Sequence, residues 1–225
     1  MASGTGGWHD KANSSSKGAC GAISIPVSIR TVRDAARLIH DHGIVTLVPA
    51  GCAPNIVTAV AGGAVRGSWQ KHAKGKLIYR IGQALQEDPD VLTLKLVQGK
   101  VTFVAERLFP VVYRVVMHAP RRRRSLDGLG APARSALEQV EREKRVRCDL
   151  ATFDEKAKEA LELRLLVMTK RELLDTGKHV TVLRSWKSWA SAAVKEGAAE
   201  LTYEDAIAEL RQRAGEENLG PWISG

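Results

Sequence analysis

Apolar positions recur at helical spacing early in this chain. Val32, Ala35, Ala36 and Ile39 follow one another every three or four residues up to His42-Gly43, which is one face of an α-helix. Thr31, with Asp34 three residues on, resembles a capping box in which Asp replaces the usual Glu, and Gly43 closes the helix. Ile44-Val45-Thr46-Leu47-Val48 is a β-branched run stopped by Pro49, so a short buried strand is expected. Pro54 to Ala61, ending at Gly62-Gly63, suits a short helix with proline in its first turn. Leu77, Ile78, Ile81 and Leu85 repeat at helical spacing until Pro89 and predict a third helix. Val91 to Val97, then Gln98-Gly99, then Lys100 to Val104 are two β-prone runs about a glycine turn, the clearest hairpin in the chain.

The apolar stretch Leu108 to Met117 follows with no evident place in this order. Beyond it the pattern becomes helical. Leu137 and Val140 open a mixed-charge helix ending near Val146, and Asp154 to Met168 carries Ala157, Ala160, Leu161, Leu165 and Val167 on a broad apolar face. Val182 to Val194 reads as a further helix with Trp186 and Trp189 on one side, and Thr202 to Asp205 caps a last one reaching about Ala214. Residues 1–22, rich in Gly, Ser and Ala, predict a mobile tail. The expected organisation is therefore a tail (1–22), a first unit (23–120), a charged linker (121–132) and a helical second unit (133–225). The fold class is α+β, mostly helical, and helix, helix and hairpin in the first unit stand in the order of a winged helix.

Charge changes the picture more than composition does. The chain of 225 residues is 44% hydrophobic, with 34 basic residues against 25 acidic and a net charge of +9, which describes a globular protein rather than a fibrous one. Residues 30–124 hold sixteen basic and six acidic residues, a net +10, whereas residues 125–225 hold sixteen against eighteen, a net −2. Such asymmetry points to a polyanionic partner for the first unit, with nucleic acid the commonest. Cys20, Cys52 and Cys148 lie too far apart for a Cys-x-x-Cys pair and read as free thiols in a reducing compartment. No apolar core precedes Ile23 and no run reaches the ~20 residues of a membrane span, so a cytoplasmic protein without a membrane partner is expected.

The most informative polar stretch is Gly67 to Lys76, a basic loop that opens a helix. Lys71, Lys74 and Lys76 with free helix amides would suit a phosphate, Trp69 a base, and His72 the same anion or a proton transfer. The plainer alternative is that Trp69 fills the core and the lysines are solvated. Lys100 on the hairpin and Arg121, Arg122, Arg123 and Arg124 in the linker are further candidate phosphate contacts, although a charged linker alone would explain the arginines. His40 and His42 point to different sides of a helix, so no metal is expected, and neither Gly-x-x-x-x-Gly-Lys-Ser/Thr nor Gly-x-Gly-x-x-Gly occurs, so no nucleotide cofactor is expected either. His179 reads as a polar turn residue, and Trp186 and Trp189 as core or interface.

Three stretches together carry a resemblance. They are Gly67-Ser68-Trp69 through Lys74-Gly75-Lys76-Leu77-Ile78-Tyr79, the hairpin from Val91 to Leu108, and Leu161 to Val167 with Thr176-Gly177-Lys178-His179 and Trp186-x-x-Trp189. Over residues 29 to about 190 the chain resembles uncharacterised bacterial proteins grouped with the winged-helix alkylpurine DNA glycosylases of the AlkZ type. The resemblance implies tandem winged helices, duplex DNA as partner and a place in DNA repair. Those glycosylases direct water with a Gln-x-Gln or Gln-x-Asp pair, which Gln86-Glu87-Asp88 matches literally, making Gln86 and Asp88 the candidate catalytic pair. Here the pair ends a helix before Pro89 rather than lying inside an apolar segment. The expectation is a DNA-binding protein, with a glycosylase-like enzyme and a protein-interaction module as the alternatives.

Overall fold

The computed structural model of the chain describes residues 29–148, 153–174, 177, 179–215, 218–220 and 223. The tail expected over residues 1–22 lies outside them. In the first unit the elements follow the hydrophobic pattern. Thr31 Oγ1 accepts the Asp34 N–H (3.1 Å) while the Asp34 carboxylate accepts the Thr31 N–H (3.0 Å), and this capping box starts α1 (Val32–His42). Next come β1 (Ile44–Thr46), α2 (Ile56–Ala61), α3 (Gly75–Glu87), β2 (Val91–Val97) and β3 (Lys100–Ala105). The strands form an antiparallel sheet in the order β1-β3-β2. Gln98 and Gly99 both have positive φ (48° and 68°), the geometry of a two-residue hairpin turn.

The sheet is covered on both faces. Val45, Val91 and Phe103 point toward Ile39 of α1, Ile56 of α2 and Ile78, Ile81 and Leu85 of α3. Ile44, Leu92, Leu94, Leu96 and Val104 point the other way, into a larger core. That core is filled by α4 (Phe109–Met117), whose buried valines at 111, 112, 115 and 116 explain the apolar stretch that had no place in the sequence pattern. Each such side chain withdrawn from water contributes roughly 1.5–3 kcal/mol.

The second unit departs from expectation. The linker read over 121–132 holds instead a helix, α5 (Ala119–Leu126), and the start of α6 (Ala131–Glu143). After α6 come β4 (Arg145–Cys148), α7 (Glu155–Leu163), β5 (Met168–Leu173) and β6 (His179–Arg184), and the strands form a second antiparallel sheet in the order β4-β6-β5. The helix read from Asp154 to Met168 therefore stops at Leu163. The one read from Val182 to Val194 is a strand end followed by the single turn α8 (Trp186–Trp189) and α9 (Ala192–Ala199). The last helix, α10 (Tyr203–Ala214), starts as expected with Thr202 Oγ1 accepting the Asp205 N–H. Trp186 is buried in the larger core, edge-on to Trp189, which in turn packs against Phe109. Among the described residues no helix is long and apolar enough to cross a membrane. Cys52 is disulfide-bonded, which corrects its reading as a free thiol. Cys148 is free, its thiol pushed up to about 11 by burial.

Two arginines tie α5 to the second unit. Arg121, fully buried, donates through its guanidinium to the carbonyls of Val116 (3.4 Å), Leu165 (3.3 Å) and Arg164. Arg164 reaches back to the carbonyls of Ser125 (2.8 Å) and Asp127 (2.6 Å) at the end of α5. Arg121→Ala is expected to cost about 3–5 kcal/mol, because it strands buried carbonyls and leaves a void. That would lower Tm by about 10 °C in a chain of this size. Arg164→Ala should cost less, and the double variant should lose less than the sum because the two side chains hold the same turn. Additive losses in thermal unfolding would contradict this.

His118, between α4 and α5, stacks on Tyr203 with ring centroids 3.8 Å apart. Burial, with Arg114 and Arg124 nearby, lowers its pKa below the ordinary 6.5 despite the opposing Glu204 carboxylate. The folded state thus binds this proton more weakly than the unfolded chain. Its contribution is complete above the unfolded value of 6.5 and is lost as pH falls below it. Unfolding followed across that range should show a shallower acid decline in His118→Phe than in the parent.

Candidate nucleic-acid interface

Helix α3 presents two faces. Gly75, Ile78, Ile81, Gly82 and Leu85 are buried, while Lys76, Tyr79 and Arg80 are exposed and Gln83 is half-buried. These four lie at i, i+3, i+4 and i+7, so they form one stripe along the helix. Tyr79 is 56% exposed, the most exposed large hydrophobic side chain among the described residues. No described residue pairs with the Lys76 or Arg80 side chain. Their i,i+4 placement is mildly repulsive, by a few tenths of a kcal/mol. Farther along the same helix the surface is closed: Gln83 Oε1 accepts from Arg171 of β5 (2.5 Å), and Glu87 faces His179 of β6 (3.5 Å).

The loop before α3 separates into structural and exposed residues. Trp69 begins a short 3-10 turn (Trp69–Lys71) and is half-buried against the core of the first unit. Gly75 sits so close to this turn that a Cβ would lie 2.6 Å from the Gln70 carbonyl oxygen. Lys74 does not face solvent freely: its ammonium donates to the carbonyls of Val60 (2.8 Å) and Ala61 (3.3 Å), the end of α2. His72 Nδ1 accepts the Lys74 N–H (3.1 Å). Lys71 and Arg66 are exposed beside the α3 stripe in sequence.

The remaining candidates lie elsewhere. Lys100 is exposed, but the hairpin turn beside it is held down. Gln98 N–H donates to the Asn218 carbonyl (2.9 Å), its amide donates to Asn218 Oδ1 (2.9 Å), and Val97 bridges to Leu219. Arg121 is corrected as a phosphate contact, since it is fully buried and hydrogen-bonded to carbonyls. Arg122 pairs with Glu141, while Arg123 and Arg124 are exposed on α5. Gln86 and Asp88 line a common crevice of about 40 Å3, room for a few waters but not for a nucleobase. The Asp88 carboxylate accepts the Asp90 N–H (2.9 Å), closing the turn after α3. Among the described residues no three His, Cys, Asp or Glu side chains gather as a metal site would need.

Tyr79, Arg80 and Gln83 were not singled out from the sequence. The signal is the polar complement of the Ile78, Ile81 and Leu85 spacing. The two tests of the loop are simple. Trp69→Ala should lower stability by about 2 kcal/mol, less than the 3–5 of a fully buried tryptophan. Lys74→Ala should lower it by about 1 kcal/mol through lost capping of α2. A Trp69→Ala protein with unchanged Tm would place that ring outside the core. No family model, no curated protein and no solved structure matches this chain.

Proposed function

We propose that the protein binds duplex DNA through the exposed stripe of α3, and that it consists of two winged-helix units. The carrying observation is the stripe itself: Lys76, Tyr79 and Arg80 exposed together, with no ion-pair partner among the described residues, on the third helix of the more basic unit. The order α1, β1, α2, α3, β2, β3 with β1 pairing to β3 is that of a winged helix, in which the third helix enters a groove. α6, β4, α7, β5 and β6, in the sheet order β4-β6-β5, repeat much of it. The repeat is unequal in function. The counterpart of α3 is α7, which carries Glu155, Glu159 and Glu162 and turns the last two onto Lys95 of β2 (3.9 and 3.1 Å). With three glutamates against two lysines, and two of the glutamates turned onto Lys95, α7 offers a polyanion less than α3 does, which favours a single binding face.

Lys76 and Arg80 neutralise phosphates or reach base edges, and Tyr79 supplies apolar contact between them. Fluorescence anisotropy with a labelled duplex over a salt series tests this. The expected affinity is of micromolar order and declines linearly on a log-log plot against salt. Lys76→Ala and Arg80→Ala should each weaken it and reduce the slope by about one. Tyr79→Ala should weaken binding with the slope unchanged, and Arg134→Ala, an exposed cation on α6, should change neither. Absence of binding at low salt, or Lys76 and Arg80 variants that behave like Arg134→Ala, would refute the proposal.

A further inference from the structure

Between the last turn of α3, strand β2 and strand β5 lies a cleft of about 210 Å3, walled by both units. Its floor is apolar, with Leu94, Val101 and Val167. Its polar wall is unbalanced. Lys95, Lys158, Lys170 and Arg171 line it against one carboxylate, Glu162. That carboxylate is already committed, to Lys95 at 3.1 Å and to the Thr169 hydroxyl at 3.0 Å. Lys158 is held by Glu155 (2.5 Å) outside the lining. Among the described residues two of these cations have no counter-charge: Arg171 donates to the neutral amide of Gln83, and nothing pairs with the Lys170 ammonium.

We propose that this cleft binds a small molecule bearing an oxyanion, a carboxylate or a phosphate monoester, on a compact apolar body. A half-enclosed cation lacking a counter-ion is costly, and an oxyanion removes that cost while offering Arg171 a bidentate partner. The apolar floor takes the body of the molecule. The volume lies below the range of drug-sized sites, which limits that body to about the size of one ring. The ligand enters between two units that share only part of their contacts, so binding stiffens their junction and raises thermal stability. This inference is independent of DNA binding, because it is read in the absence of nucleic acid.

The test is thermal unfolding of the full chain with benzoate, phenyl phosphate and inorganic phosphate, each titrated at constant ionic strength. Benzoate or phenyl phosphate is expected to raise Tm by about 5 °C at roughly a hundredfold Kd, the shift growing with the logarithm of concentration. Inorganic phosphate, lacking the ring, should give a smaller shift. A response to phenyl phosphate alone identifies a phosphate ester, and a response to benzoate alone a carboxylate. Lys170→Met and Arg171→Met should each weaken the effective ligand about tenfold. Lys170→Met removes a half-buried cation that no described residue pairs with, so without ligand its Tm should equal or exceed that of the parent. No rise in Tm with either ring-bearing anion, an equal shift with inorganic phosphate, or a shift that survives in both variants would overturn the proposal.

Discussion

The second unit and its attachment to the first depend on one carbonyl. Leu165, a non-glycine residue with φ of 49°, follows α7 in the left-handed region, and the Leu166 N–H closes back on the Leu161 carbonyl at 3.0 Å. This is the helix-terminating arrangement that glycine usually serves, and a leucine there costs about 1–2 kcal/mol. The strain is offset because the turn aims the Leu165 carbonyl inward, where it accepts from both Arg121 (3.3 Å) and the Trp186 indole (3.0 Å). The Leu165 side chain itself is buried in the core that α4 fills. A single backbone conformation thus fixes α5, the α7–β5 turn and α8 against one another.

From that anchor the rest of the packing follows. β5 leaves the turn at Met168, which lies in the same core as Leu92, Leu94 and Leu96 of β2. The two sheets are therefore joined through apolar side chains, while polar pairs tie a strand of each unit to a helix of the other: Lys95 of β2 to Glu162 of α7, and Arg171 of β5 to Gln83 of α3. Leu219 bridges to Val97, and Gly220 N–H donates to the Leu96 carbonyl (3.1 Å), so part of the free edge of β2 is paired rather than open. An edge left open would invite pairing with another chain. The same contacts hold the β2–β3 turn in place, which shifts any role in binding from the hairpin to α3.

The first unit was legible in the sequence because each of its elements carries a local signal. The Thr31 and Asp34 cap, the Gly43 stop, the β-branched runs and the Gln98-Gly99 turn each act within a few residues. The second sheet was not read because its signals are weak or were claimed by helices. Met168-Thr169-Lys170-Arg171-Glu172-Leu173 contains one β-branched residue and three charges. Val180-Thr181-Val182 is strongly β-prone and was legible, yet the three-residue spacing of Trp186 and Trp189 drew a helix across its end. Arg121 illustrates the deeper limit. Four consecutive arginines look alike in sequence, and only the carbonyls of Arg164 and Leu165, more than forty positions away, decide which one is buried.

That limit bears directly on how the charge of the first unit is read. A net +10 over residues 30–124 treats every cation as available, but the fold spends several of them. Lys74 caps α2, Arg107 closes on the carbonyl of His40 at the end of α1, Lys95 faces Glu162, and Arg121 is internal. Lys76 and Arg80 are left without such partners and repel one another, with an exposed tyrosine between them. Folding gains nothing from this arrangement: a Glu at either position would give a stabilising i,i+4 pair instead. A surface that is slightly unfavourable to the folded chain is what the proposed partner, by supplying the missing negative charge, would explain. The same reasoning separates α3 from the cleft beside it. On the open stripe the charge is solvated and suits an extended polyanion, whereas Lys170 and Arg171 are half-buried against apolar walls and suit a small one.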